Sequence, residues 1–126
     1  MYTKSADSRT AGALALSPVE FHVLLVLAAG ALYGYAILKA VAEESAGAVT
    51  PEVGSLYRVL ARLMSLGWVD ESRPPKGAPG VHRGRERRYY RLTAEGRRVL
   101  QQEALRLEQA VEIARSRVIL PEGAGS

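Results

Sequence analysis

An apolar run begins at Phe21 and continues through Val23, Leu24, Leu25, Val26 and Leu27, leaving almost no polar face. Such a segment reads as a helix from Pro18 to about Ala29, packed on more than one side, which in a small domain points to a share in a subunit interface. Ser17-Pro18-Val19-Glu20 supplies its start: a Ser cap, Pro at the first helical position and Glu at the third make a capping box. Gly30 stops it. A second helix follows from Tyr35 to about Ser45, with Ile37, Leu38 and Val41 inward and Lys39, Glu43 and Glu44 outward, ended by Gly47. Thr50-Pro51-Glu52 opens a third, running to about Leu66, where Leu56, Val59, Leu60, Leu63 and Met64 repeat at steps of three and four. Its other face carries Ser55, Arg58, Arg62 and Ser65, and Gly67 closes it.

The period then changes. Trp68 to Ser72 reads as a short strand, and residues 74–84 hold three prolines and three glycines in eleven positions, so neither helix nor regular strand is expected there. Arg85 to Leu92 forms the returning strand, with Tyr90 and Leu92 on one face, and Thr93 caps a final helix from Ala94 to Val118. Along that helix Leu100, Ala104, Leu107, Val111, Ala114 and Val118 recur at heptad spacing, a seam for a partner helix. The expected fold is mainly α with a small β-hairpin: a winged helix-turn-helix plus a long C-terminal helix. It divides into a flexible arm at 1–16, the winged helix-turn-helix domain at 17–93, a dimerisation helix at 94–120 and a flexible tail at 121–126.

Composition narrows the class. At 126 residues and 48% hydrophobic, the chain is of single-domain size with enough apolar material for a core, which excludes disorder as its main state. It has no cysteine, so disulfides, thiolate metal sites and a cysteine nucleophile are excluded and a cytoplasmic setting is expected. The apolar run is not read as a secretion signal or a membrane span: Glu20 and His22 interrupt its start, and it falls short of the ~20 residues that span a bilayer.

The formal charge of +4 is unevenly placed. Residues 73–98 hold nine cations and two anions, net +7, while the remaining hundred residues are net −3. A cationic, Gly- and Pro-rich hairpin beside a helix with exposed arginines suits a sugar-phosphate backbone. The competing interpretation is a solvated loop kept positive for solubility or to protect a strand edge. The order of three helices, hairpin and helix favours DNA.

Catalysis finds no support in the residues. His22 and His82 have no carboxylate or second histidine at metal-ligand spacing, and no nucleophile-elbow motif accompanies Ser, His and Asp. No catalytic residue, metal or cofactor is expected. His22 reads as an interface or helix residue and His82 as wing surface.

Three segments together resemble the PadR family of bacterial winged-helix transcription regulators, over about Leu16 to Arg115. They are Tyr33-Gly34-Tyr35; Gly54-Ser55-Leu56-Tyr57 through Arg62-Leu63 to Gly67-Trp68-Val69; and Arg88-Tyr89-Tyr90-Arg91-Leu92-Thr93 with Gly96. The chain departs from the family pattern at Tyr33, where His is common, at Arg58, where Pro is frequent, and at Trp68, where Leu is usual. The sequence alone leaves open whether Trp68 is only a larger core residue. The resemblance implies a homodimer held mainly by the last helix, sometimes with the first, that binds an inverted repeat and usually represses. A single C-terminal helix places the chain with the compact form of the family.

The expected DNA-binding residues are Ser55 and Arg58 in the groove, Tyr57 and Thr50 on phosphate, and Arg62 one turn further on. On the wing they are His82, Arg83, Arg85, Arg87 and Arg88. Thr50 has a competing use as a helix cap, Tyr57 as a core tyrosine, and Arg62 in an ordinary ion pair. The dimer is expected through Phe21, Leu25, Leu100, Ala104, Leu107, Val111, Ala114 and Val118. The expected partners are double-stranded DNA, a second copy, and a small-molecule effector held between the first and last helices by Phe21, Leu25 and Val111, with core packing as the competing role for those three. No membrane partner is expected. The alternative function is a winged-helix interaction module that docks an acidic protein.

Overall fold

A computed structural model describes residues 16–78, 81–82 and 85–118, with only the backbone path at 81, 82, 85 and 86. The expected arm at 1–16, apart from Leu16, and the tail at 121–126 lie outside the described residues.

Four helices and five short strands follow in the order α1 (Pro18–Leu27), β1 (Leu32–Tyr33), α2 (Gly34–Glu44), α3 (Val53–Ser65), β2 (Val69–Ser72), β3 (Val81–His82), β4 (Arg85–Glu86), β5 (Tyr89–Leu92) and α4 (Ala94–Val118). The capping box expected at Ser17 is present: the Glu20 N–H donates to Ser17 Oγ at 3.1 Å, and the Ser17 N–H donates to Glu20 Oε1 at 2.9 Å. The α1 helix ends at Leu27 rather than Ala29, with Ala28 as its C-cap.

The start of α3 corrects the expectation at Thr50. Its N-cap is Glu52, in extended conformation with no side-chain cap bond, so Thr50 lies upstream of the helix and does not cap it. Ser45 governs the approach instead, because its Oγ accepts the Val49 N–H at 2.9 Å and holds the turn after α2. At the other end, Gly67 adopts φ 81°, the Trp68 N–H reaches the Leu63 carbonyl at 3.0 Å and the Gly67 N–H reaches that of Met64 at 3.0 Å. These are the paired bonds of a Schellman stop, and they place Trp68 over the end of α3.

The sheet is larger than the expected hairpin. Strand β5 is central, with β1 and β2 antiparallel on either side, Leu32 opposite Tyr90 and Asp70 opposite Arg91. The continuous strand expected from Arg85 to Leu92 is split at residues 87–88, and Val81–His82, expected as loop, pairs with Arg85–Glu86 as a separate ladder. Two-residue strands carry too little pattern to be seen without their partners.

Leu24 and Leu27 of α1, Ile37 and Val41 of α2, Leu56, Leu60 and Leu63 of α3, and Val69, Tyr90 and Leu100 form one buried cluster. Trp68, 2% exposed, belongs to that core. Met64, expected inward, is exposed.

Thr93 ties the wing to α4. Its Oγ1 accepts the Gly96 N–H at 3.0 Å, making the expected cap, and donates to the Gly67 carbonyl at 2.7 Å. A Cβ at Gly96 would overlap the Trp68 carbonyl oxygen and stand 2.8 Å from Leu92 Cδ1, so the first turn of α4 meets the backbone between α3 and β2 directly.

Candidate nucleic-acid interface

The α3 helix buries Leu56, Leu60 and Leu63 and exposes the opposite ridge, Gly54, Arg58, Ala61 and Ser65. Arg58 is the one long side chain on that ridge. Its Nη2 donates to Ser55 Oγ at 3.1 Å, and its Nη1 lies 3.8 Å from where a Cβ on Gly54 would stand, so the guanidinium is folded back toward the start of the helix. Arg58 makes no ion pair with any described residue.

Arg62 takes up the ion-pair role. Its Nε donates to Glu20 Oε2 at 2.8 Å, on the same carboxylate that closes the α1 capping box. Tyr57 is 45% exposed and flanks the ridge on the side of α2, where its ring lies against Gly34. Behind it, Tyr90 is buried, and burial pushes its phenol above the usual range, helped by Tyr57 and Glu71 and opposed by Arg88. Thr50 is exposed near the start of α3.

On the wing side, Arg88 Nη1 pairs with Glu71 at 3.2 Å and Arg91 with Asp70 at 3.4 Å, both across the β2–β5 ladder. The net +7 of residues 73–98 is thus partly offset by two acids that lie just before it in the sequence. Arg87 stacks 4.1 Å over the Tyr33 ring, which itself meets Tyr89 edge-on at 5.6 Å, so Arg87 is packed on the sheet as well as cationic. Arg83 and the side chains of His82 and Arg85 lie outside the described residues.

The expected dimer residues separate into two groups. Leu100, 7% exposed, sits in the protomer's own core; Phe21, Leu107 and Ala114 are half-buried. Leu25, Ala104, Val111 and Val118 face solvent, as do Leu105 and Ile113 outside the expected seam. His22 packs edge-on to Phe21 at 5.5 Å, and its buried Nδ1 has no hydrogen-bond partner among the described residues.

Sequence reasoning missed Glu103. It reads as one of many surface charges on α4, yet its side chain is 4% exposed and takes bonds of 2.9 and 2.7 Å from Arg106. The Arg106 hydrogen bonds hold the Glu103 carboxyl below the usual range against the opposing effect of burial, with further help from the Arg106 charge and the Leu16 N–H. The Arg106 guanidinium is correspondingly raised. Gly34 was visible in its motif, but its role against Tyr57 was not.

Among the described residues no group of three potential metal ligands occurs, and no helix is long and apolar enough to cross a membrane.

Comparison with known proteins agrees with this arrangement. No curated protein matches the chain. A transcriptional regulator from Clostridium thermocellum is 25% identical, with a TM-score of 0.63 over 79% of this chain and 89% of that one. A PadR family regulator from Eggerthella lenta is 28% identical, with a TM-score of 0.58 over 76% and 80%. A third, from Clostridium difficile, shares the fold at 20% identity, with a TM-score of 0.65 over 81% and 99%. The model of the transcriptional regulator PadR-like family matches residues 23–102. Three helices with an exposed ridge on the third, a small sheet and a long final helix fit that family, and the chain is a member of the PadR-like family of transcriptional regulators, which are non-enzymatic DNA-binding proteins.

Proposed function

We propose that the chain is a cytoplasmic homodimeric repressor that binds an inverted repeat in duplex DNA. The observation that carries this reading is the outward ridge of α3, small except for Arg58, beside a wing that presents Arg88. Ser55, Tyr57 and Arg58 contact the groove and its near wall, while Arg83, Arg85, Arg87 and Arg88 with His82 follow the adjacent backbone. Thr50 contributes a phosphate contact, and Arg62 acts chiefly through Glu20.

The second copy joins through α4, with Leu25 of α1 at its margin. Val111 and Val118 are 42% and 67% exposed in one copy, surface that a partner helix would remove from water. At 25 residues α4 is roughly 37 Å long. That length suits two reading helices about one DNA turn, roughly 34 Å, apart. An effector site lined by Phe21, Leu25 and Val111 belongs between two copies and acts by changing their separation.

The test is anisotropy titration of the purified chain with duplex DNA across a salt series, followed by selection from a random duplex library. The expected result is affinity that falls steeply with salt and a selected inverted repeat. No duplex binding at low salt would turn the assignment to a module docking an acidic protein.

A further inference from the structure

We propose that Arg58 reads a guanine in each half-site, using the bidentate edge formed by guanine O6 and N7. The inference rests on the DNA-binding reading above and adds the identity of the base recognised.

Three observations lead to it. A helix lying in the major groove turns its outermost ridge to the base edges and its flanks to the two backbone walls. On α3 the outermost ridge is Gly54, Arg58, Ala61 and Ser65, so one side chain alone is long enough to cross to the bases while its small neighbours let the helix sit deep. The flanking residues are held elsewhere: Tyr57 against Gly34 on one side and Arg62 on Glu20 at 2.8 Å on the other.

Arg58 is also set in place before DNA arrives. Ser55 Oγ accepts from the Nη2 end of the fork at 3.1 Å, which turns the guanidinium toward the first turn of the helix. This orders the side chain and lowers the conformational entropy lost on binding.

The charge of the fork is unmatched as well. The guanidinium is bent toward the positive end of its own helix and has no carboxylate partner among the described residues. A planar pair of acceptors supplies what this arrangement lacks. Of the four bases, guanine alone presents two acceptors side by side in the major groove, and a planar guanidinium matches them.

The experiment uses the full chain and the duplex selected from a random library. Wild-type protein is titrated against that duplex and against versions in which each guanine in turn becomes 7-deazaguanine, which removes the N7 acceptor. One position per half-site should weaken binding by about five- to 150-fold. Arg58→Ala should lose its preference at that position and become indifferent to 7-deazaguanine there, while the remaining positions stay selected. Arg58→Lys, whose ammonium still reaches O6 and N7 but without the planar fork, should keep the same preference in weakened form.

A variant Arg58→Ala that binds all duplexes more weakly but keeps the same base preferences would make Arg58 a phosphate contact and overturn the proposal. Loss of selection at every position together, with altered circular dichroism, would show a structural role and overturn it equally. Absence of any duplex binding by the wild type would instead remove the DNA-binding reading on which it stands.

Discussion

Tyr57 of the reading helix lies across Gly34, the first residue of α2, so closely that a Cβ at position 34 would overlap the phenol oxygen and stand 2.8 Å from Cζ. The contact joins the two helices of the helix-turn-helix beside the exposed ridge of α3. Gly34→Ala should therefore push the exposed phenol aside and cost up to about 1 kcal/mol, less than a methyl group forced into a closed core. Urea unfolding of the single variants and of Gly34→Ala with Tyr57→Ala checks the cause. The double variant should recover most of the loss, whereas additive effects would mean that the two residues do not meet.

Glu71 restrains Arg88 at the base of the wing. Both side chains are exposed, 52% and 76%, so Glu71→Gln should change stability by less than about 1 kcal/mol. It should nevertheless raise affinity for duplex DNA, because it removes a negative charge from the interface and releases a guanidinium. The log-log salt slope should become steeper, and Arg88→Ala together with Arg85→Ala should make it shallower by about 0.9 for each phosphate that is no longer neutralised. An unchanged slope in both variants would take the wing off the DNA.

The proposed dimer is tested most cleanly at Val111, which is 42% exposed in one copy and so tolerates a charge there without disturbing the protomer. Val111→Asp should leave the circular dichroism unchanged and weaken dimerisation by about 3 kcal/mol, more than a hundredfold, through an uncompensated carboxylate in the seam. Leu107→Asp should do the same with some added cost to the fold, since Leu107 is half-buried. Sedimentation of Val111→Asp as an undiminished dimer would move the interface elsewhere.

Glu103 gives a pH signature of known sign. Its carboxyl binds protons less readily in the folded chain than in the unfolded one, chiefly because of the Arg106 hydrogen bonds. The stabilisation is thus complete above the ordinary value of 4.5 and is lost as pH falls through the lower folded value. Glu103→Gln should be less stable than wild type near neutrality, because it loses the charge that the Arg106 hydrogen bonds hold. The gap from wild type, measured by urea unfolding in a pH series, should narrow below pH 4.5. A gap that does not depend on pH would assign the cost to packing alone.

Much of this was legible from local pattern. Ser17 and Glu20 lie three residues apart and satisfy each other's end of a helix, so the start of α1 can be read without the rest of the chain. The period of Leu56, Leu60 and Leu63 assigns the buried face of α3 and, by opposition, exposes Arg58. Other features depend on partners distant in sequence. Strand β1 is two residues long and exists through pairing with Tyr89 and Tyr90; Arg62 is engaged because α1 brings Glu20 beside it. Glu103 looks like a surface charge at every local level, yet it is buried and takes a bond from the Leu16 N–H, far away in sequence. Thr50-Pro51-Glu52 imitates the cap that Ser17-Pro18 makes, but here the helix starts after Glu52, which itself takes the extended N-cap position.

The Thr93 Oγ1 bond to the Gly67 carbonyl and the close approach of Gly96 to the Trp68 carbonyl tie the start of α4 to the turn that ends α3. In a dimer joined along α4, that tie would make the helix a lever. Over roughly 37 Å, a change of about 10° in its angle would carry the attached reading head by about 6 Å, close to two base-pair steps. A ligand that altered the helix pairing by so little could shift the protein off its operator without touching a single DNA-facing residue.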